Sequence, residues 1–107
     1  MNTLHTTLLA SILLAAIAPA QAADGEAIVK KARCVACHAV DAKRVGPAYK
    51  DVAARYRGDA QAPALLFDKV RHGGSGNWGD VPMIPHGPDK ISDEDLKAAI
   101  QWTLSLN

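Results

Sequence analysis

The chain has 107 residues and a formal net charge of +1, with 12 Lys and Arg against 11 Asp and Glu, and 49% of its residues are apolar. That is enough chain for one domain, without the basic excess of a nucleic-acid binder or the low hydrophobicity of a disordered segment. Two cysteines exclude a disulfide-dense scaffold and leave at most one bridge.

The first segment reads as a leader. Leu8 to Ala18 is an apolar run broken only by Ser11, followed by Pro19 and then Ala20-Gln21-Ala22. Such a run is shorter than the roughly 18 residues that a spanning helix needs. The small-x-small triplet is the pattern of a signal-peptidase site. The expectation is a signal peptide over residues 1–22, cleaved, and a working domain over residues 23–107. Met1 to Thr7 departs from the usual pattern in holding no Lys or Arg. The competing reading, a buried core helix, lacks helix caps. Export would place the domain in the periplasm or outside the cell, where two free thiols tend to oxidise. Much of the remaining apolar content is Ala, so a disulfide, metal or cofactor is expected to supplement the small core.

Within the domain the pattern is helical, with little strand signal. Asp24 is placed to cap a helix from Gly25 to about Ala32. Residues 34–47 read as loop, closed by Gly46-Pro47. Tyr49, Val52, Ala53 and Tyr56 share one face of a helix over Ala48–Arg57 that Gly58 stops. Pro63 suits the first turn of a helix that runs to His72 and ends at Gly73. Residues 73–91 carry five Gly and three Pro without periodicity. They read as a long irregular loop, which a compact domain keeps when the loop works or folds over something. Ser92 and Asp95 have capping-box spacing, and Leu96, Ala99, Ile100, Thr103 and Leu104 then form one face of a last helix.

The chemistry lies in Cys34-Val35-Ala36-Cys37-His38. Cys-x-x-Cys-His is the attachment signature of a c-type haem. Thiols three residues apart on a helical turn reach two vinyl groups of one porphyrin, and the next residue can offer an imidazole nitrogen to the iron. A thioredoxin-like dithiol would need a preceding strand, and zinc a second ligand pair. Neither is present in the sequence, and a plain disulfide is the remaining alternative. For the sixth iron position, Met83 is the one methionine after residue 22, within Val81-Pro82-Met83-Ile84-Pro85. A thioether favours ferrous iron, and the flanking prolines stiffen the segment. The rival roles are a Met filling a core gap and, as ligands, His72 or His86, each flanked by Gly and expected at the surface.

At these residues the sequence resembles small class I bacterial cytochromes c of the cytochrome c-551 (c8) type. The resemblance runs through Cys34 to Ala39, Val45 to Ala53, Gly73 to Gly79, Val81-Pro82-Met83 and Gln101 to Ser105, nearly the whole domain. It implies an all-α class I cytochrome c fold of about four short helices wrapped around one covalently bound haem c, with His38 and Met83 as axial ligands. It implies that the Pro47 carbonyl accepts the other ring N–H of His38 and that the Trp78 indole N–H bonds a haem propionate. Relatives often have Pro after the ligand Met, where this chain has Ile84, and the stretch over residues 86–90 is longer than usual.

With both axial positions filled by protein, the expected function is one-electron transfer by Fe(III)/Fe(II) cycling, without substrate turnover. The resemblance implies a monomeric periplasmic shuttle between a cytochrome bc-type donor and a nitrite reductase, cytochrome oxidase or peroxidase as acceptor, with neither nucleic-acid binding nor stable membrane insertion. An enzyme or gas sensor with a labile sixth ligand is the alternative, and CO binding separates the two. Charge adds a docking expectation. Residues 30–57 hold eight basic and two acidic side chains, and residues 58–107 hold four and seven. The attachment motif lies in the basic part, bracketed by Lys30, Lys31, Arg33, Lys43 and Arg44. That distribution suits an acidic partner, or is merely a set of solvated side chains.

Overall fold

The computed structural model describes residues 24–107. The expected leader and its cleavage site lie outside the described residues. Among the described residues four helices form: α1 over Gly25–Lys31, α2 over Tyr49–Arg55, α3 over Ala62–His72 and α4 over Asp93–Ser105. A single 3-10 turn, Cys34–Ala36, lies between α1 and α2. A two-stranded antiparallel ladder, β1 (Gly74–Gly76) with β2 (Gly79–Met83), follows α3. None of these helices is long and apolar enough to cross a membrane.

The helix ends follow from the expected caps. Asp24 Oδ1 accepts the Ala27 N–H at 3.1 Å, and Ser92 Oγ accepts the Asp95 N–H at 3.1 Å. Each satisfies a donor that the first turn leaves without an intrahelical partner. Helix α2 is shorter than Ala48–Arg57 at both ends. Ala48 is extended, with φ −60° and ψ 142°, and Tyr56 leaves the helix before Gly58 turns the chain at φ 78°. Pro63 sits in the first turn of α3, where its missing N–H costs no hydrogen bond.

Helix α4 is the spine, packed by α1, α2 and α3. Its Ala99 joins Val29 and Tyr49 in one buried cluster, while Leu96 and Ile100 join Ile91 in another that Leu66, Phe67 and Val70 border. Gly25 lets α1 lie against α4, because a Cβ there would come within 2.6 Å of Trp102 Cγ. Thr103, on the same buried face, returns its hydroxyl to the Ala99 carbonyl at 2.9 Å. The most deeply buried apolar residues, Ala48, Ala53 and Ala62, are small. Several large apolar side chains stand exposed, Val45, Val81 and Ile84 among them, and these three border one cleft.

The ladder corrects the expectation of an irregular loop over residues 73–91. Its strands are Gly-rich and exposed, with Gly74, Gly76 and Gly79 at φ between 102° and 109°. Pairing here is by backbone, without the alternating or β-branched pattern that marks a half-buried strand.

Candidate haem site

The chain reverses at Arg33 to present the cysteine pair. Arg33 has φ 63° and ψ 21°, the left-handed conformation, and is the one described residue other than glycine with positive φ. Such a conformation is unfavourable for a residue with a Cβ, and it ends α1 and begins the 3-10 turn of Cys34–Ala36. The His38 N–H closes the turn on the Cys34 carbonyl at 3.0 Å. Cys34 and Cys37 are not joined to each other, and both are half-buried. Burial pushes the Cys34 thiol above its ordinary value, and the Tyr49 hydroxyl offsets this only in part.

His38 is fixed from three sides. Its Nδ1–H donates to the Pro47 carbonyl at 2.7 Å. A carbonyl only accepts, so Nδ1 carries a proton, and in the neutral ring Nε2 is then the nitrogen with the lone pair. The Tyr49 ring stacks on the imidazole at 5.1 Å between centroids and 20° between planes, and Trp102 meets Tyr49 edge-on at 5.4 Å. Burial, with the nearby Cys34, holds the Tyr49 phenol protonated well above its ordinary range. On the remaining side lies Gly46, where a Cβ would come within 2.5 Å of His38 Cε1.

These residues border a cleft of about 580 Å³, mainly apolar, between the 3-10 turn, α3, the hairpin and α4. Its lining brings together Cys34, Cys37, His38, Pro47, Trp78 and Met83, residues up to 49 positions apart in sequence. Met83, half-buried, ends β2. Trp78 lies at the hairpin turn with its ring under the Arg55 guanidinium at 4.4 Å, and Arg55 also donates to the Asn77 carbonyl. The competing histidines separate. His72 is exposed, bonded to the Asp68 carbonyl at 2.9 Å and outside the cleft, whereas His86 is half-buried and borders it, contrary to its expected surface position. The reason is backbone: the His86 N–H is held by the Val70 carbonyl at 2.9 Å.

The donor set fits a covalently attached porphyrin: two cysteines on one turn with no disulfide between them, an imidazole whose Nδ1–H is engaged by a carbonyl, and a thioether bordering the same apolar cleft. The Cytochrome c family model matches residues 22–107. The chain belongs to the cytochrome c family. This cytochrome is 50% identical over 90 residues to a cytochrome c-551 of Allochromatium vinosum, covering 84% of this chain and 93% of that one. It is 46% identical over 86 residues to a cytochrome c-551 of Pseudomonas aeruginosa, covering 80% of each. The crystal structure of Nitrosomonas europaea cytochrome c552 superposes with a TM-score of 0.69 at 43% identity, covering 77% of this chain and 99% of that one. The cytochrome therefore has the class I fold, carries one covalently attached haem c and is a monohaem electron carrier that works with redox partners.

Arg33, Gly46 and Tyr49 were not singled out as site residues by the sequence. Gly46 and Tyr49 flank the Pro47 that was, but only the position of the imidazole shows why a side chain at 46 is excluded and why an aromatic ring at 49 fits.

Proposed function

We propose that this cytochrome is a periplasmic one-electron carrier in which Cys34 and Cys37 hold the haem as thioethers and His38 and Met83 are the axial ligands. The observation that carries this reading is the 2.7 Å bond from His38 Nδ1 to the Pro47 carbonyl. It leaves Nε2 as the free donor of the ring, and it increases that nitrogen's basicity. The bound haem supplies the redox chemistry, a one-electron change between Fe(III) and Fe(II). The chain's own contribution is to keep that change small in structure. Tyr49, Gly46 and Pro47 fix the imidazole, while Pro82 and Pro85 restrain the backbone around Met83. Val45, Val81 and Ile84 line the cleft with apolar surface that limits water at the site. The Trp78 indole, stacked under Arg55, would donate its N–H to a propionate of the bound haem. With both axial positions taken by side chains, the protein turns over no substrate. Its partners are a cytochrome bc-type donor and a nitrite reductase, cytochrome oxidase or peroxidase as acceptor. Residues 1–22 are the cleaved export signal.

Visible spectra of the purified protein, oxidised and reduced, with CO added at neutral pH, test the reading. The reduced wild type is expected not to bind CO. Met83→Ala is expected to bind it, to lose the weak sulfur–iron charge-transfer absorption and to have a lower potential. His86→Ala is expected to match the wild type. CO binding by the wild type would favour an enzyme or sensor with a labile sixth position. A spectral change in His86→Ala but none in Met83→Ala would move the ligand to His86.

A further inference from the structure

One guanidinium ties the chain beyond Met83 to two helices. Arg71 lies in the last turn of α3, and its side chain is only 10% exposed. Nη1 donates to the His86 carbonyl at 3.0 Å and to the Ile91 carbonyl at 2.9 Å. Nη2 donates at 2.5 Å to the carboxylate of Asp93, the first residue of α4. The group lies over the Phe67 ring, 5.1 Å from its centroid. The same end of α3 gives the segment a second seat. The Val70 carbonyl holds the His86 N–H at 2.9 Å, and Gly73 lies so close to the backbone of Met83, Ile84 and Pro85 that a Cβ would meet Pro85 N at 2.9 Å. Among the described residues, every hydrogen bond joining residues 84–91 to a helix uses the Val70 carbonyl or Arg71. The other hydrogen bonds of residues 84–91 lie within the segment, such as that from the Lys90 N–H to the Gly87 carbonyl at 2.9 Å.

We infer that Arg71 is a positioning residue for Met83: it pins the segment three residues after the thioether and so keeps the sulfur in the haem cleft in both oxidation states. The inference rests on the reading of Met83 as the axial ligand. The planar guanidinium serves two carbonyls and a carboxylate from two nitrogens in a fixed fork, a geometry that the single nitrogen of a lysine ammonium does not reproduce. Removing it leaves the His86 and Ile91 carbonyls without that donor, and a loss of this kind shifts the balance toward a released segment by about tenfold or more.

The test compares Arg71→Met, Arg71→Lys, Asp93→Asn and Met83→Ala in the haem-loaded protein. Three signals are read: the sulfur–iron charge-transfer absorption against temperature, helix melting by far-UV circular dichroism, and the rate of CO uptake after reduction. Arg71→Met is expected to lose the charge-transfer signal well below the temperature at which its helices melt. It should take up CO after reduction, where the wild type takes up none. Arg71→Lys should fall between the two, and Asp93→Asn, which removes only the ion pair, should match the wild type. If Arg71→Met does not fold, Arg71→Lys is judged by the same signals. Signal loss that merely tracks helix melting, with unchanged CO uptake, would make Arg71 a structural tie and overturn the inference. So would an equal effect of Asp93→Asn. A charge-transfer signal that survives in Met83→Ala would instead overturn the ligand assignment on which the inference stands.

Discussion

The imidazole of His38 shows how one side chain is defined by its neighbours. The Pro47 carbonyl selects the tautomer, Tyr49 covers one face, and Gly46 admits the ring where any Cβ would collide. Gly46→Ala is therefore expected to push the ring off its acceptor and to cost about 1–3 kcal/mol, as overpacking does. Weakening the Nδ1–H bond makes the imidazole a poorer donor to ferric iron, so the reduction potential should rise. Denaturant unfolding and redox titration of the variant check both signs. Unchanged values would mean that the backbone at residue 46 yields without moving the ring. At this scale spacing alone singled out Cys34, Cys37 and His38, and the structure brings the three to one cleft. The sequence was silent where chemistry depends on a distant approach. Nothing in the sequence tells that Arg71 reaches His86 and Ile91, or that Arg33 takes a left-handed turn.

Helix α4 was legible almost to the residue, because cap and apolar period agree: Ser92 caps it, and Leu96, Ala99, Ile100 and Thr103 are buried as expected. The hairpin was not, because glycine-rich strands paired through backbone leave no hydrophobic pattern. Two substitutions compare local and tertiary control of the helices. Ser92→Ala removes one cap bond at an exposed site and should cost about 1 kcal/mol. Gly25→Ala places a methyl group against Trp102 and the Ala98 carbonyl, whose oxygen would lie at 3.2 Å. It should cost about 1–3 kcal/mol even though Ala is the better helix former. Chemical denaturation measures both, and a stabilising Gly25→Ala would show that propensity outweighs the contact between α1 and α4.

The whole molecule combines a near-neutral charge with an uneven distribution. Eight of its 12 basic residues lie in residues 30–57, the part that carries the attachment motif. Of these, Lys30 and Lys50 are engaged with Glu26 at 3.1 Å and Asp41 at 2.6 Å, exposed pairs of small energetic weight. Lys43 and Arg44 form no salt bridge among the described residues and are exposed. Attraction of an acidic partner by such charges is screened over about 8–10 Å at 0.1–0.15 M salt. Electron transfer to the native partner should slow as ionic strength rises, and Lys43→Glu with Arg44→Glu should slow it further at low salt. Stopped-flow rates that stay flat with salt and are indifferent to the reversals would leave the apolar rim of Val45, Val81 and Ile84 as the docking surface.

The proposal that Cys34 and Cys37 hold one haem by two covalent bonds in an exported domain is tested most directly by the intact mass of the purified protein after acid–organic extraction. The expected mass is that of residues 23–107 plus one haem, with none released into the organic phase. A colourless polypeptide with free haem in the extract, or one lighter by two hydrogens with Cys34 and Cys37 joined as a disulfide, would contradict it.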